Sequence, residues 1–509
     1  VGPSLGQEAI DNGMLSFLIG MALVVLWMIL YYGKAGVYAN VSLLVNILFI
    51  FGILASLGAV LTLPGIAGIV LTIGMAVDAN VIIYERAKEE LDAGKTLDEA
   101  VNYSFTWKGA MSSIFDANIT TALTALILLV FGTGPIKGFA TTLLIGIGTS
   151  LFTSIFVTRL LLDWSLRKNQ NLTFSTPMTH NWFKNMNVDF LGKKKIAYAI
   201  SSVLVIASLV SLFFINGLNQ GVDFVGGRTF QIRFNKEVVA SEVSSTLTKA
   251  FGTNVEAKTF GSGNQLKITT KYKVDEESEG VDAEVNEKLY SALKSYFPEM
   301  SYPDFVTNKE GKEFGILQAS KVGPTIAEDI KTNSYWAVLG SLLVVFLYLL
   351  ISFRKWQFSL GAVGAVLHDV IIVLGVYSIF WKFLPFNMEI DQAFIAAILT
   401  VIGYSLNDTV IVFDRVREFL GTHEEGTFNQ VVNKALNTTL SRTINTSLTT
   451  LIVLFAIFIL GGETIRGFVF AILVGILVGT YSSLFIATPI MADTVNKQEE
   501  RKRALKKEE

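Results

Sequence analysis

Long apolar stretches alternate with short polar segments along the whole chain. Each apolar stretch holds about 20 residues, the length that a helix needs to cross the hydrocarbon core of a bilayer. The pattern therefore predicts a polytopic α-helical membrane protein with about eleven spans. We place them at 14–32, 41–63, 65–86, 114–132, 137–162, 196–215, 332–352, 358–381, 391–414, 442–460 and 466–490.

Two longer polar segments interrupt the spans. Segment 164–195 is rich in Asn, Thr and Lys and is predicted to be a linker, whereas 217–325 has the periodicities of a folded domain. Residues 228–234 alternate apolar and polar positions, as in a strand with one buried face. The element order βαββαβ predicts a ferredoxin-like α+β domain. Its strands are placed at 228–234, 255–260, 265–270 and 314–322, with a GSGN turn at 261–264, and its helices at 238–251 and 282–297.

The membrane part contains a repeat. A shift of 329 positions places Gly74 on Gly403 and Arg86 on Arg415. Residues 136–150 also match 465–479. Residues 1–10 match 322–331, and these two segments each begin with VGP. Because six predicted spans separate the two VGP segments, the two halves have the same orientation and are related by an axis along the membrane normal. The fold class is therefore two pseudo-symmetric helical bundles with one α+β domain.

The repeat also predicts how the chain is divided. In the second half, one span and the α+β domain precede the VGP segment, so we expect the corresponding span and an extracytoplasmic domain to precede Val1 in the intact protein. The predicted divisions are 1–163 (five spans), 164–195 (linker), 196–216 (one span), 217–325 (α+β domain), 326–495 (five spans) and 496–509 (charged tail).

Positive charges gather at one end of the predicted spans. Examples are Lys193, Arg354 and Arg417. By the positive-inside rule this end faces the cytoplasm, which places domain 217–325 on the opposite side.

Composition excludes several function classes. Net charge is −2, which gives no support to a nucleic-acid partner. The chain has no cysteine, and its three histidines lack the spacing of metal ligands. No Walker motif or nucleotide loop is present. We therefore expect no metal, no cofactor and no enzymatic activity.

Two aspartates lie inside apolar stretches at matching places of the repeat. They are Asp78 and Asp408. A carboxylate at membrane depth costs about 2.5–3.5 kcal/mol on insertion scales. Packing gives no reason to place one in each half, so we interpret both as proton-relay residues. The alternative is a buried structural hydrogen bond to a neighbouring Ser or Thr.

An arginine accompanies the two acids. Arg442 begins a polar stripe with Asn445, Thr446 and Thr449 at helical spacing, which lipid cannot satisfy. An aspartate that alternates between pairing with Arg442 and binding a proton is a two-state element, because burial favours the neutral carboxyl and the arginine favours the ionised one. The alternative is that Arg442, at the start of predicted span 442–460, only reaches to the cytoplasmic surface.

Other polar residues near these positions are candidates for supporting roles. Asp116 could instead be an N-terminal helix charge. Asp369, after His368, could be part of a relay or of a helix–helix hydrogen bond. The supporting set is Asp116, Asn80, Asn407, Thr120, Thr409, Asn445, Thr449 and Asp369.

The cytoplasmic ends of the two aspartate-bearing spans carry further charges. Glu85 is predicted to pair with Arg86 or Lys88, and Asp414 with Arg415 or Arg417. Interfacial ion pairs are a better interpretation of these residues than catalysis.

These motifs resemble those of one family. The chain is similar to the SecD and SecF protein-export membrane proteins of the resistance-nodulation-division superfamily, in a fused form. The first half carries GMAVDANVIIYERAKEEL (74–91) and SSIFDANITT (112–121). The second carries GVDFVGGRTFQIRF (221–234), GYSLNDTVIVFDRVRE (403–418) and LSRTINTSLTT (440–450).

The resemblance implies a bacterial inner-membrane protein that uses the proton-motive force to promote preprotein translocation. It implies that Asp78, Asp408 and Arg442 form the proton path, with Asp116 as a further acidic position. The implied partners are the SecYEG translocon, YajC, YidC, the translocating preprotein and protons. Domain 217–325 would lie in the periplasm. The first span and large first head domain of the family have no counterpart in these residues, so substrate-binding residues are not assigned.

Two other function classes stand beside this one. A small-molecule or lipid exporter of the same superfamily usually carries two large outer domains, whereas one of about 110 residues is predicted here. A structural scaffold for the translocon predicts that the membrane acids are replaceable without effect. A translocation assay with and without a proton gradient separates the three.

Overall fold

Apolar helices of membrane-spanning length make up most of the protein. The computed structural model describes residues 7–58, 63–132, 134–168, 172–183, 186–253, 255–260, 262–276, 280–307, 312–384, 386–421 and 426–508. Within these residues, eleven helices are long and apolar enough to cross a membrane, and one small antiparallel sheet is present. The predicted fold class is confirmed. The first VGP segment and Gly261 of the predicted turn lie outside the described residues.

The helices of the first half are α1 (Gln7–Tyr32), α2 (Lys34–Ser56), α3 (Leu63–Asp92), α4 (Leu97–Ser104), α5 (Ser112–Phe131), α6 (Gly134–Phe152) and α7 (Thr158–Arg167). The membrane helices of the second half are α8 (Lys194–Val210), α13 (Pro324–Phe353), α14 (Trp356–Phe380), α15 (Gln392–Gly421), α16 (Phe428–Leu460), α17 (Glu463–Ser482) and α18 (Thr488–Glu508). Four single π-helical turns accompany these helices. One precedes α5 (Trp107–Met111), and one extends α8 (Ser211–Ile215). The other two join α6 to α7 (Thr153–Val157) and α17 to α18 (Ser483–Ala487).

Most span limits differ from the prediction, usually because a helix continues into polar sequence: α3, for example, ends at Asp92 rather than 86, and α13 begins at Pro324 rather than 332. α2 begins at Lys34, after Gly33 turns the chain with φ of 61°. α15 continues to Gly421, beyond the predicted end at 414. α16 begins at a capping box, in which Thr427 and Gln430 bond each other's backbone, rather than at 442. Arg442 therefore lies about four turns inside its helix.

The α+β domain has the predicted order. It consists of β1 (Gly227–Arg233), α10 (Ala240–Phe251), β2 (Val255–Phe260), β3 (Ser262–Thr270), α11 (Val281–Leu293) and β4 (Gly315–Val322), preceded by the single turn α9 (Val222–Val225) and interrupted by α12 (Tyr302–Val306). The strands lie in the antiparallel order β2-β3-β1-β4, which is the ferredoxin-like arrangement. Helix α12 was not predicted, and Ser262–Asn264 belong to β3 rather than to a turn.

The two halves interlock through matched helices. α3 packs against α6 of its own half and α16 of the other, while α15 packs against α17 of its own half and α5 of the other. Two glycines of the repeat allow these approaches. A Cβ at Gly74 would lie 2.9 Å from the Cα of Thr450, and a Cβ at Gly403 would lie 3.4 Å from the Cα of Thr121. The buried positions of α3 and α15 are thus at the centre of the membrane part.

Gly74→Ala is expected to lower the free energy of unfolding by about 1–3 kcal/mol, since the backbone of α16 must move away. The measurement is thermal unfolding in detergent micelles. Gly52→Ala is the matched control, because no atom lies within 4 Å of a Cβ there and the helix gains about 1 kcal/mol in propensity. Equal melting temperatures for the two variants would contradict the predicted close approach.

The segment between the two halves packs against the bundle. Phe174 and Phe190 are buried. The backbone N–H of Val188 donates to the side chain of Asn437 at 2.7 Å, and that of Phe190 donates to Asn433 at 2.8 Å. This segment is therefore attached to the N-terminal part of α16.

Candidate functional site

The two membrane aspartates face the protein interior. Asp78 is 5% exposed on α3, and Asp408 is 1% exposed on α15. These are the two central helices, so neither carboxyl faces the helix surfaces available to lipid. The two side chains are close enough to interact electrostatically across the interface between the halves.

Asp408 is held by two hydroxyl groups. Ser447 on α16 donates to Oδ2 at 3.1 Å, and Thr480 on α17 approaches the same oxygen at 3.5 Å. The two hydroxyls are 2.6 Å apart and hydrogen bonded to each other. No donor among the described residues reaches the other carboxyl oxygen. The carboxyl is therefore only half satisfied, and a change in its charge alters the balance of forces on α15.

Asp78 has still fewer contacts. Neither of its carboxyl oxygens has a hydrogen-bond partner within the described part of the chain. Tyr404 of α15 lies between the halves and interacts electrostatically with both aspartates. Its hydroxyl donates to the backbone oxygen of Thr446 and contacts the hydroxyl of Thr450, each at 3.1 Å. Thus Tyr404 is bonded to α16 and is not a donor to either acid.

Arg442 is buried, with 9% exposure, and lies five residues before Ser447 on α16. Among the described residues no carboxylate lies within 4.0 Å of its guanidinium. The acids that act on it electrostatically are Glu89, Asp414 and Asp408. The interpretation of Arg442 as a residue at a helix end is wrong, because α16 extends well beyond it.

Four charged residues join the C-terminal ends of α3 and α15. Arg86 pairs with Glu418 at 2.7 Å, and Arg415 pairs with Glu89 at 2.8 Å. Each pair is the image of the other under the 329-residue repeat. Each arginine also pairs with the glutamate of its own helix, at 3.0 Å and 2.7 Å. We call these four residues the charge clasp, since they bind the two halves reciprocally.

The clasp decides which of the predicted ion pairs form. Lys88 pairs with Glu85 at 3.0 Å, and Arg417 pairs with Asp414. The predicted ion pairs of Glu85 and Asp414 are thus confirmed, whereas Arg86 and Arg415 pair with other acids. Those arginines turn toward the opposite half, where a carboxylate from the repeated position lies within reach.

The predicted supporting residues mostly bond to their own helices. Thr120 donates to the backbone oxygen of Ala117, and Asn445 donates to that of Ser441. Such bonds satisfy a hydroxyl or amide group inside an apolar bundle. Asn80 accepts from Thr158 at 2.7 Å, and Asn407 is buried with 9% exposure. Thr449 donates to the backbone oxygens of Asn445 and Thr446. Thr409 donates to the backbone oxygen of Ser405 and is hydrogen bonded to the hydroxyl of Ser483.

The predicted acid Asp116 contacts α13 and not the aspartate pair. Asp116 accepts from Tyr348 at 2.6 Å and Ser352 at 3.1 Å, both on α13. The π-helical turn Trp107–Met111 lies ahead of it, so Asp116 is not the N-terminal charge of its helix.

Asp369 is the best satisfied acid of the membrane part. It is fully buried and accepts from Ser405 at 2.6 Å and from Ser482 at 2.7 Å, and it contacts the Nδ1 atom of His368 at 2.8 Å. Three partners hold the carboxyl group in place. This geometry favours the helix–helix hydrogen bond over the relay.

A polar cavity opens at the end of the bundle that holds the charge clasp. Its volume is about 980 Å³, and its walls include Glu85 and Glu89 of α3 and Ser441 of α16. The cavity therefore reaches one member of the charge clasp and the neighbour of Arg442.

Sequence reasoning missed the residues that hold Asp408. Ser447 lies within the motif 440–450 and could have been found, since helical spacing places it on the side of α16 next to the predicted stripe. Thr480 gave no signal, because only helix packing brings α17 to this position.

The fold and the acid pair define a two-bundle membrane protein with an interlocked repeat, and comparisons assign its family. The family model described as protein export membrane protein SecD/SecF, C-terminal, matches residues 1–168 and 304–497, and the SecD/SecF GG motif matches 211–238. The chain belongs to the SecD/SecF protein-export family. Its similarity to fused SecDF proteins extends over nearly the whole sequence.

Individual relatives agree with this assignment. The chain is 35% identical to protein translocase subunit SecDF of Brucella abortus over 96% of its own length and 61% of the relative. It is 46% identical to protein translocase subunit SecF of Rhodothermus marinus over 61% of this chain and 94% of the relative. The crystal structure of the translocon-associated SecDF of Thermus thermophilus superposes with a TM-score of 0.84 at 34% identity, covering 97% of this chain and 64% of that one. The chain thus spans about three fifths of the length of the fused relatives.

Proposed function

We propose that the protein is an accessory subunit of the Sec translocon that uses the proton-motive force to promote preprotein translocation. A role in Sec-associated translocation follows from the family, whose members are protein translocase subunits. The coupling to protons is our inference from the membrane acids. The protein carries out no reaction on its substrate in this proposal.

The observation that carries the proposal is the pair Asp78 and Asp408 at the interface between the halves. A buried charged carboxylate without donors costs several kcal/mol, so Asp78 carries a proton in this arrangement. Asp408 has one free oxygen and Arg442 on its cytoplasmic side. Binding or losing a proton at Asp408 therefore changes whether it attracts Arg442, and with it the packing of α15 on α16.

The driving force is sufficient for such a change. A proton that moves through about 150 mV releases about 3.5 kcal/mol from the electrical term alone. That energy shifts a two-state equilibrium by several hundredfold. The cytoplasmic cavity supplies a polar route from one side of the membrane to the neighbourhood of Arg442.

The proposal includes a location and partners. The positive-inside rule supports a bacterial inner-membrane protein with the α+β domain in the periplasm. SecYEG, YajC, YidC and the translocating preprotein are proposed partners. These assignments derive from the family resemblance and concern the whole protein, of which this chain covers a part.

The deciding experiment is preprotein translocation into sealed membrane vesicles with and without an imposed proton gradient. Export that the protein stimulates only under the gradient supports the proposal. Stimulation that is independent of the gradient would indicate a scaffold, and no stimulation together with proton-driven efflux of small molecules would indicate an exporter.

Arg442→Lys is expected to reduce proton flux and proton-dependent export by about tenfold. A lysine keeps the charge but loses the planar, forked geometry with which an arginine engages a carboxylate. Lys434→Arg is a matched control, since Lys434 lies about two turns away on α16 beside Phe419. Native proton flux in Arg442→Lys would show that only a positive charge is needed at this position.

A further inference from the structure

The double-glycine segment does more than lead into the α+β domain. Before it, the backbone N–H of Gly221 donates to the carbonyl of Ile390 at 2.9 Å, and the N–H of Ile390 donates to the carbonyl of Asn219 at 2.7 Å. These bonds form a short parallel bridge between Gln220 and Ile390. The entrance to the domain is thus joined to the residues that immediately precede α15.

Two carboxyl groups form hydrogen bonds at the same contact between the domain entrance and α15. Asp223 of α9 accepts from the backbone N–H of Gln392, the first residue of α15, at 3.0 Å. Asp391 accepts from the N–H of Phe394 at 2.8 Å. Both acids therefore satisfy free N–H groups at the N-terminus of the helix that carries Asp408.

The glycines fix Asp223 relative to the sheet. Gly226 and Gly227 have φ of 70° and 142°, which side chains rarely allow. A Cβ at Gly227 would also lie 3.0 Å from the carbonyl oxygen of Thr270 in β3. The chain can pass directly from α9 into β1 only with glycines here, so the position of Asp223 follows the position of the sheet.

Two lysines of the sheet also form ion pairs with the segment that precedes α15. Lys267 of β3 pairs with Glu389 at 2.5 Å, and Lys258 of β2 lies 3.8 Å from the same carboxylate. Glu389 is buried at this contact, with 7% exposure of its side chain. We call the contacts of 219–223 with 389–392, together with Lys258 and Lys267, the α15 joint.

We propose that Asp223 and Asp391 are positioning residues that lock the α15 joint, so that movement of the Asp408 helix moves the α+β domain. The proposal rests on the proposed function, since it names the path by which a membrane event reaches the extracytoplasmic side. Gly226 and Gly227 of the family motif lie between the α15 joint and β1, so the proposal gives them a mechanical role.

The locking is sensitive to protons. Burial and the nearby Asp223 raise the pKa of Asp391 to about 6, and burial raises the pKa of Asp223. The charged or titratable groups that face the pair are Lys267, which lowers both pKa values, Glu389, which raises them, and Tyr377 of α14, which is bonded to Gly467.

The sign of the effect follows from the raised pKa. In an open, solvated joint Asp391 would have the ordinary aspartate pKa of about 3.9, whereas in the locked joint its pKa is about 6. The locked joint therefore binds the proton more tightly. Proton binding favours locking fully below about pH 3.9, and this contribution is lost as pH rises through about 6. The locking equilibrium changes by up to about a hundredfold across this range. The proton-rich side of an energised membrane thus favours the locked joint.

The test measures the distance between the domain and the bundle as pH changes. The chain has no cysteine, so Ser245→Cys on α10 and Phe383→Cys after α14, both exposed, take two spin labels without competing sites. Electron–electron distance measurements are made on the full chain in lipid nanodiscs between pH 4.5 and 8. We expect one narrow distance at low pH and a second, broader population that grows with a midpoint near 6.

Variants assign the midpoint to the joint. Asp391→Asn should abolish the pH response and retain the narrow distance. Lys267→Gln should move the midpoint upward, because a positive neighbour is removed, and Glu389→Gln should move it downward. Glu287→Gln, an exposed acid on α11, is the matched control and should behave as the native chain.

Two results would overturn the proposal. One is a label distance that does not change with pH in the native chain. The other is a native midpoint in Asp391→Asn or, if that variant does not fold, in both Lys267→Gln and Glu389→Gln. The label distance is read without transport. A normal pH response together with gradient-independent export would therefore reject the proposed function and leave the joint standing.

Discussion

Asp408→Asn is expected to abolish the proton-dependent part of export while leaving the fold intact. Asparagine has the shape of aspartate and can still accept from Ser447, so the packing of α15 is retained. It cannot exchange a proton or attract Arg442. Stimulation by an imposed proton gradient should fall at least about tenfold, and the thermal unfolding midpoint should stay within about 2 °C of the native value. Asp78→Asn should give the same result.

The control for these variants is a surface acid. Asp163 lies on α7 at the edge of the bundle, away from the acid pair, and its carboxylate pairs with Arg159 at 3.0 Å. Asp163→Asn removes this carboxylate. Its export and proton flux should equal the native values. Native, gradient-stimulated export in vesicles that carry Asp408→Asn or Asp78→Asn would falsify the proton-coupled mechanism.

Arg86→Gln is expected to destabilise the protein by about 3 kcal/mol, because it removes a buried cation that carboxylates of both halves share. Arg86 has 8% side-chain exposure and pairs with Glu89, Glu90 and Glu418. Since Glu418 is about a third exposed, solvent screens part of the effect. The measurement is the free energy of unfolding in detergent micelles.

A double-mutant cycle isolates the contact between the halves. Glu418→Gln added to Arg86→Gln should cost less than the sum of the two single changes, by about 1 kcal/mol or more. Arg159→Gln is the control, because its pair with Asp163 lies within one helix and surface pairs contribute about 0–1 kcal/mol. Additive effects of the two single changes would mean that the charge clasp does not hold the halves together.

The membrane architecture was predictable because its signal is local. A stretch of about 20 apolar residues is a span whatever its neighbours are, and alternation in 228–234 indicates a half-buried strand in the same way. Helix ends were less predictable. α16 starts at Thr427 and α15 ends at Gly421 because polar helical turns extend beyond the bilayer, where hydropathy carries no information.

The contacts of the site depended on which helices meet. Asp78 and Asp408 could be found from the cost of a buried carboxylate, and their positions in the repeat placed them in opposite halves. Arg86 was one of two cations considered for Glu85, but it pairs with Glu89, three residues away along the helix, and with Glu418, which is 332 residues away in sequence. Nothing local distinguishes the two.

The sequence by itself determined the number and order of the membrane spans, the order of the main elements of the α+β domain, the repeat, the two buried acids and the family. These depend on residue type and spacing, which folding does not change. Only the tertiary structure decided that Ser447 and Thr480 hold Asp408, that Asp116 turns to α13, and that the α+β domain is fastened to α15. Each of those contacts depends on the rotation and register of packed helices, which are set by the sum of many side-chain contacts.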